Sequence, residues 1–447
     1  MTTNGQTIGA FIAAAHARAI PPAVLDAARL CLADWMSVAI GAATEPAGRI
    51  VRDTVAQWGS TGRASVLFGG TAAAPFAALA NGTLAHCLDF DDTYVDAVTH
   101  TSAPVWAATL ALGEETEVPE SAMLAAFITG FEVAARVGHG LGQAVTARGW
   151  HGTGVFGRIG AAAAAAALLQ LDAERALHAV ALAATQTSGL TASFGTMAKP
   201  FHAGKAAMDG IVSAQLAAGG FTGAVGVLEP GAGLDNAVLQ DGSLSITPVE
   251  FSDWRILRNS FKPYAACHLI HPSIDAARAL LAGRLDLGAI KAVRADVGAL
   301  AVKVTGGGDG HPETPLAGKF DLRYCVALAL HGRDVSAADF RDPWTLDPEI
   351  AATASKVAVH NHPGMGFASA AMAIDTGSSS VQAHVPVAKG HPGNPMGWDD
   401  MARKFDGLVA PALQNRTGVM FGLLRRFGDG GALKETRAIL SNLRARP

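Results

Sequence analysis

Residues Gly157 to Leu171 read GRIGAAAAAAALLQL, and this run constrains the fold more than any other stretch of the chain. Alanine is the strongest helix former, and its methyl side chain lets neighbouring backbones approach closely. A helix this thin belongs in the centre of a helical bundle, not on its rim. The rest of the chain agrees: of 447 residues half are apolar and 16% are charged, against about 25% charged in an average globular protein. So apolar a chain hides its surface in a core, a membrane or a partner. Two uncharged stretches are long enough to test as spans, Ala176–Ala198 and Gly210–Leu228. The first carries His178, Gln186 and several Ser and Thr; the second has five glycines and no flanking basic cluster. Both fail as spans, which leaves a large alanine-rich core and an oligomer interface, and a homo-oligomer is expected.

Net charge is −4, and no basic run offers the clustered positive face that phosphate backbones require, so nucleic acid is excluded as a partner. Cys31, Cys87, Cys267 and Cys325 are scattered, without a Cys-x-x-Cys pair, and read as reduced thiols of a cytoplasmic protein. The first twenty residues lack the basic stretch that opens a signal peptide.

From residue 5 to about 260 apolar residues recur at helical spacing between Pro, Gly and Asn-Gly breaks. Pro21-Pro22 and Pro75 open helices, Pro119–Arg136 is another, and Asp172 caps the run that follows the alanines. After about residue 285 the pattern changes. Ala292–Val304, Lys356–His360 and Val381–Val387 carry β-branched residues in partial alternation and are read as strands. Helices resume at Trp398. The expected fold class is therefore mainly α, a large all-helical domain (1–262 and 398–447) interrupted by a smaller α+β domain (263–397).

Four constellations carry possible chemistry. Gly152-Thr-Gly154-Val-Phe-Gly157 has the spacing of a dinucleotide fingerprint, but Thr146–His151 is not a buried strand and Asp172 lies between helices, so a close-packed helix entrance is the better reading. Asn81–Ser102, NGTLAHCLDFDDTYVDAVTHTS, concentrates four aspartates and two histidines in a charge-poor chain. Crowded carboxylates must meet cations, helix N-termini or polar ligands. Their spacing matches no familiar metal site, which favours an aspartate orienting a proton-carrying histidine. Ser188–Gly204 is a polar loop that ends in Lys199 and His202, and Asn259–Asp275 holds Lys262, Tyr264, His268 and His271. His268-x-x-His271 has no third zinc ligand placed beside it. Neither a metal nor a cofactor is expected.

The runs AHCLDFDDT with a following HTSAP, GWHGTGVFGRIGAAAAAA, MAKPFHAGKAAMDGIVSAQLAAGGFTG and SFKPYAACHLIHPSIDAA, in this order and over nearly the whole chain, resemble the MmgE/PrpD family. That resemblance implies a homodimer built on an all-helical domain with an inserted α+β lid. It also implies cofactor-free chemistry at carbons flanked by carboxylates: methylcitrate dehydration, cis-aconitate decarboxylation or iminodisuccinate epimerisation. By position it assigns Asp89, Thr93, His100, His151, Lys199, Lys262 and the lid tyrosine Tyr324 to the site. Lys199 and Lys262 would pair substrate carboxylates. His100 and His151 would carry protons, Asp89 would orient an imidazole, and Thr93 would donate a hydrogen bond. Tyr324 would protonate the opposite face or hold a carboxylate; His202 and His271 are left in supporting positions. The sequence departs from the commoner pattern at Thr101, Gly152 and Ala265, around the expected pocket, and these departures bear on the substrate more than on the fold. The expected activity is that of a 2-methylcitrate dehydratase-like hydro-lyase, with an epimerase as alternative and a decarboxylase or a non-catalytic binding protein behind them.

Overall fold

The computed structural model describes residues 2–231, 233–283, 285–341 and 344–441. The last six residues of the expected C-terminal helical segment lie outside this range. Two compact units emerge: residues 1–260 with 398–447, and residues 261–397.

The first unit is helical. Its principal elements are α1 (Pro22–Gly41), α2 (Ala74–His86), α3 (Ser102–Glu115), α4 (Glu120–Gly138), α5 (Gly152–Leu168), α6 (Ala173–Thr185), α7 (Ala198–Ala218) and α8 (Trp398–Leu413). Every residue of α5 is buried, as a bundle centre requires. Its neighbours approach at small residues. A Cβ on Gly160 would lie 2.7 Å from the Gly130 carbonyl of α4, and one on Gly210 of α7 would lie 2.5 Å from Ala161 of α5. Gly204 of α7 meets the backbone of α2 at Leu79 in the same way. Any side chain here would push the axes apart, so the glycines and alanines set the interhelical distance. Asp172 caps α6, its Oδ1 accepting from the Arg175 N–H at 2.9 Å. Among the described residues one helix, α4, is long and apolar enough to cross a membrane, but it is buried within the unit and carries Glu132 and Arg136 as a buried ion pair.

The glycines of the fingerprint-like run sit in the first turns of α5. Added Cβ atoms would meet the Val98 carbonyl at Gly152, the Ser188 carbonyl at Gly154 and the Pro104 ring at Gly157. They serve packing, as the sequence reading held.

The second unit contains a four-stranded sheet of β1 (Ala292–Val297), β2 (Val357–Asn361), β3 (Ala370–Asp375) and β4 (Ser380–Val385) in the order β2-β1-β3-β4. The β1–β2 pair is parallel, with Val293 opposite Val357; the other pairs are antiparallel. Helices α9 (His271–Ala282) and α10 (Leu322–Leu330) belong to the same unit. Two readings of this region need correction. The strand expected over Ala292–Val304 stops at Val297, where Gly298 starts a helix over Ala299–Thr305. Strand β3, AAMAID, was not anticipated: its alanines favour helix, and its burial against both neighbouring strands overrides that preference. The fold is mainly α with a small α+β part, as expected.

Candidate active site

Helix α2 ends at His86, and the chain then turns through Cys87–Thr101 before α3 begins at Ser102. Asp89 holds a left-handed φ of +52°, uncommon for a residue with a side chain. The turn places successive carboxylates against different partners.

Asp89 Oδ1 accepts from Lys199 Nζ, at the start of α7, at 2.6 Å. His100 Nε2 lies 3.7 Å from the same oxygen. Asp91 stands between two imidazoles. His86 Nδ1 lies within hydrogen-bonding distance, 2.9 Å, of both of its oxygens. His100 Nδ1 lies 3.1 Å from Asp91 Oδ2, in ion-pair contact but off the hydrogen-bonding axis. The His100 N–H donates to Thr153 Oγ1 in α5, which ties the loop to the alanine-rich helix. His151, the residue before α5, faces His202 of α7 with Nδ1 atoms 3.1 Å apart. Its ring stacks on His86 with centroids 5.7 Å apart and meets the edge of Phe194. Phe194 also lies under the Lys199 ammonium at 5.1 Å.

Burial governs the charge states. It would raise the Asp91 carboxyl, but His100 and His86 outweigh it and hold the group well below the usual carboxylate range. His86, wholly enclosed, is lowered to about 4 by burial against the pull of Asp91. His202 falls to about 4 for the same first reason, aided by His86. Burial, then His86 and Lys199, push His151 well below its ordinary value. At neutral pH these three rings are neutral, so one of the facing Nδ1 atoms of His151 and His202 donates and the other accepts.

Four donors, from His86, Asp89, Asp91 and His100, lie within 4.8 Å of one another and are numerous enough for a metal. Lys199, however, already places a cation on Asp89, and His86 spends Nδ1 on Asp91.

The structure thus gathers Asp89, His100, His151 and Lys199. Thr93 lies further along the same loop, its backbone paired with Ser260. Its buried Oγ1 has no hydrogen-bond partner among the described residues. Lys262 and Tyr324 belong to the second unit. Lys262 is buried at its start, beside Phe261, whose N–H donates to the Gly390 carbonyl. Tyr324, in the first turn of α10, packs edgewise on Phe340 and Trp344, and burial raises its hydroxyl to about 12. In that unit His268 and His271 have ring centroids 4.7 Å apart, and His271 Nε2 lies 3.1 Å from the Ala266 carbonyl.

Sequence reasoning gave no role to three residues that shape the site. His86 was counted in the motif but left without a task. Asp34, in α1, and Lys404, in α8, form a buried pair 2.6 Å apart, and both hold the acidic loop. Lys404 Nζ donates to the Phe90 carbonyl at 2.6 Å, and Asp34 Oδ2 accepts the Asp92 N–H at 2.9 Å. The signal available was a lone charge in each of two apolar helical faces; nothing in the sequence paired them.

Among known proteins, a cis-aconitate decarboxylase of Aspergillus terreus is 27% identical over 347 residues, covering 72% of this chain and 71% of that protein. The cis-aconitate decarboxylase of Mus musculus is 31% identical over 212 residues, 46% of this chain and 43% of that protein. The human protein of that name is 37% identical over 165 residues, covering 35% and 34%. The model of the MmgE/PrpD N-terminal domain matches residues 6–247, and that of the MmgE/PrpD C-terminal domain matches residues 264–421. With both domain models matched in order, the chain belongs to the MmgE/PrpD family.

Proposed function

We propose that this protein is a cofactor-independent lyase that cleaves a bond next to a carboxylate of a small di- or tricarboxylate. The observation that carries the reading is the buried Asp89–Lys199 pair with His100 beside it. A chain with so little charge places an ammonium, a carboxylate and a proton carrier within one contact shell. Lys199 brings a positive charge to the Asp89 carboxylate, the kind of charge that attracts a substrate carboxylate.

The relatives named as cis-aconitate decarboxylases favour decarboxylation as the bond cleavage. In that reaction the C–C bond to a carboxylate breaks, carbon dioxide leaves, and the electron pair stays on a carbon conjugated with a second carboxylate. Lys199 stabilises the charge that develops on that second carboxylate. His100, beside Asp91 and Asp89, is the group placed to deliver a proton to the carbon and to recover one from solvent. Dehydration of a methylcitrate-like hydroxy acid is the second reading. It is favoured by the neutral imidazole of His151 across from His100: one group takes a proton from carbon while the other protonates the departing hydroxide, so that water leaves.

We further propose that the protein acts as a homodimer in the cytoplasm. Leu190, Met197, Phe201, Leu216, Phe221 and Val225 are exposed on and beside α7 in the helical unit, apolar side chains that a second copy would remove from water. Light scattering on the eluted protein is expected to give twice 45.6 kDa.

The reaction is tested by incubating the protein with cis-aconitate, 2-methylcitrate and iminodisuccinate in deuterated water and following products by NMR. Decarboxylation releases carbon dioxide and leaves deuterium on carbon. Dehydration gives an alkene and water. Epimerisation gives inversion with deuterium and no loss of mass. A protein that neither binds nor turns over any of the three would remove the basis of the lyase reading.

A further inference from the structure

His86 is the buried histidine of the acidic motif for which the chemistry above has no use. It ends α2, has no accessible surface on its side chain, and is wedged between two other imidazoles, with centroids 4.5 Å from His100 and 5.7 Å from His151. Its Nδ1 bonds both oxygens of Asp91. Its Nε2 is buried with no hydrogen-bond partner among the described residues. An imidazole kept only to fill space would be better replaced by an apolar ring, since a buried unpartnered acceptor is unfavourable. The bond to Asp91 is what an apolar ring cannot supply.

That bond has a consequence for the neighbouring proton carrier. Asp91 is an ionised acceptor, so Nδ1 of His86 must hold the hydrogen and Nε2 the lone pair. The one Nδ1–H of His86 is then shared between both carboxylate oxygens at 2.9 Å, and His100 Nδ1 reaches Oδ2 at 3.1 Å without meeting hydrogen-bond geometry. We propose that His86 is a positioning residue for His100: by donating its Nδ1–H to both oxygens of Asp91 it takes up part of the carboxylate's charge and limits how tightly Asp91 holds a proton on His100. His100 is thereby kept able to release its proton and to recover it. The functional side of this inference rests on the lyase reading, in which His100 carries the proton.

The other groups facing this arrangement are Asp89 on the loop, Asp34 of α1, Asp92, Lys199 and His202 of α7, and His151 before α5. None of them bonds Asp91 on the side His86 occupies, so the pair can be tested alone. The experiment is a pH titration of the full-length protein with ¹⁵N-labelled histidine, the His100 signals being assigned by their loss in His100→Gln. In the unsubstituted protein, His86 is expected as the Nδ1–H tautomer at pH 7. In His86→Leu the undivided charge of Asp91 turns to His100, whose midpoint is expected to rise by about one pH unit, tenfold in proton affinity. In His86→Asn the side-chain amide N–H stands where Nδ1–H stood and should restore the original midpoint. An Nε2–H tautomer of His86 in the unsubstituted protein would overturn the proposal, and that reading needs no variant to fold. It would equally be overturned if His86→Leu left the His100 midpoint in place, or if His86→Asn behaved like His86→Leu. The titration uses no substrate, so its failure is separable from failure of the lyase reading, which the product NMR tests.

Discussion

Asp91 and Asp92 are adjacent in sequence and both are buried, yet they serve two different regions. Asp91 and Asp89 face His86, His100 and Lys199. Asp92 faces the interior of the bundle. The Ser102 hydroxyl donates to its Oδ2, its N–H donates to Asp34, and Asp34 is held by Lys404. Nearby, Asn259 Nδ2 donates to Cys31 Sγ at 3.3 Å. Burial, then Asp34, raise the Asp92 carboxyl to about 7. Asp34 is itself raised by burial, against the pull of Lys404. Asp91 is pushed the other way by its histidines. One loop therefore carries a region in which carboxylates meet imidazoles and an ammonium and a region tied by a buried ion pair and backbone bonds. Burial of charge alone does not mark a site. What sets the Asp89–Asp91 side apart is that its partners are imidazoles and an ammonium.

The sharpest way to break this comparison is Lys404→Met. Removing the cation leaves Asp34 buried without its ion-pair partner, and about 3–5 kcal/mol of stability should be lost, read as a drop in the denaturant midpoint. A variant as stable as the parent would mean that the Asp92 side is not the anchor of the loop.

Acid should act on the histidine side. The unfolded chain protonates histidine near 6.5, whereas folded His86 and His202 resist until about 4. Their folded values are lowered, so the unfolded state binds more protons in this window and stability falls as pH drops from about 6.5 to about 4. Asp92 works in the opposite sense. Its folded value of about 7 lies above the unfolded value of about 3.9, so its contribution is fully present below about 4 and is lost as pH rises through 7. Asp92→Asn removes that loss. Relative to the parent, the variant should gain stability steadily between about pH 4 and 7 and level off above it in thermal melts, and a difference independent of pH would contradict the assignment.

The smallest effect is expected at Thr93. Its Oγ1 makes no bond among the described residues, so Thr93→Val should leave stability within about 0.5 kcal/mol. A substrate hydrogen bond worth about 1 kcal/mol would disappear with the hydroxyl, lowering kcat/KM roughly fivefold.

Much of the fold was legible because periodicity and small residues speak locally. The alanine run demanded a central helix, Asp172 announced the cap of α6, and the shift to β-branched residues marked the mixed region. Ala299–Thr305 and β3 were not legible, since ALAVKVT and AAMAID contain residues that suit either state and only the neighbouring strands decide. In the candidate site, the crowded aspartates drew attention to Asp89 and His100, and the structure sets them beside Lys199 and His151. The anchoring pair escaped notice for a different reason. Asp34 and Lys404 are separated by 370 residues, and a contact at that separation is created by the bundle rather than written in any run of sequence.

The central claim is that the Asp89–Lys199–His100 group, and not the Asp34–Lys404 group, performs the chemistry. The most direct measurement is turnover in deuterated water, followed by NMR, of whichever carboxylate the protein accepts, by the parent and by Lys199→Ala, with folding verified by the melting transition. The expected result is an unchanged fold with kcat reduced about 10²–10³-fold, the loss typical of one removed charge-stabilising donor. Undiminished turnover by folded Lys199→Ala would contradict the account.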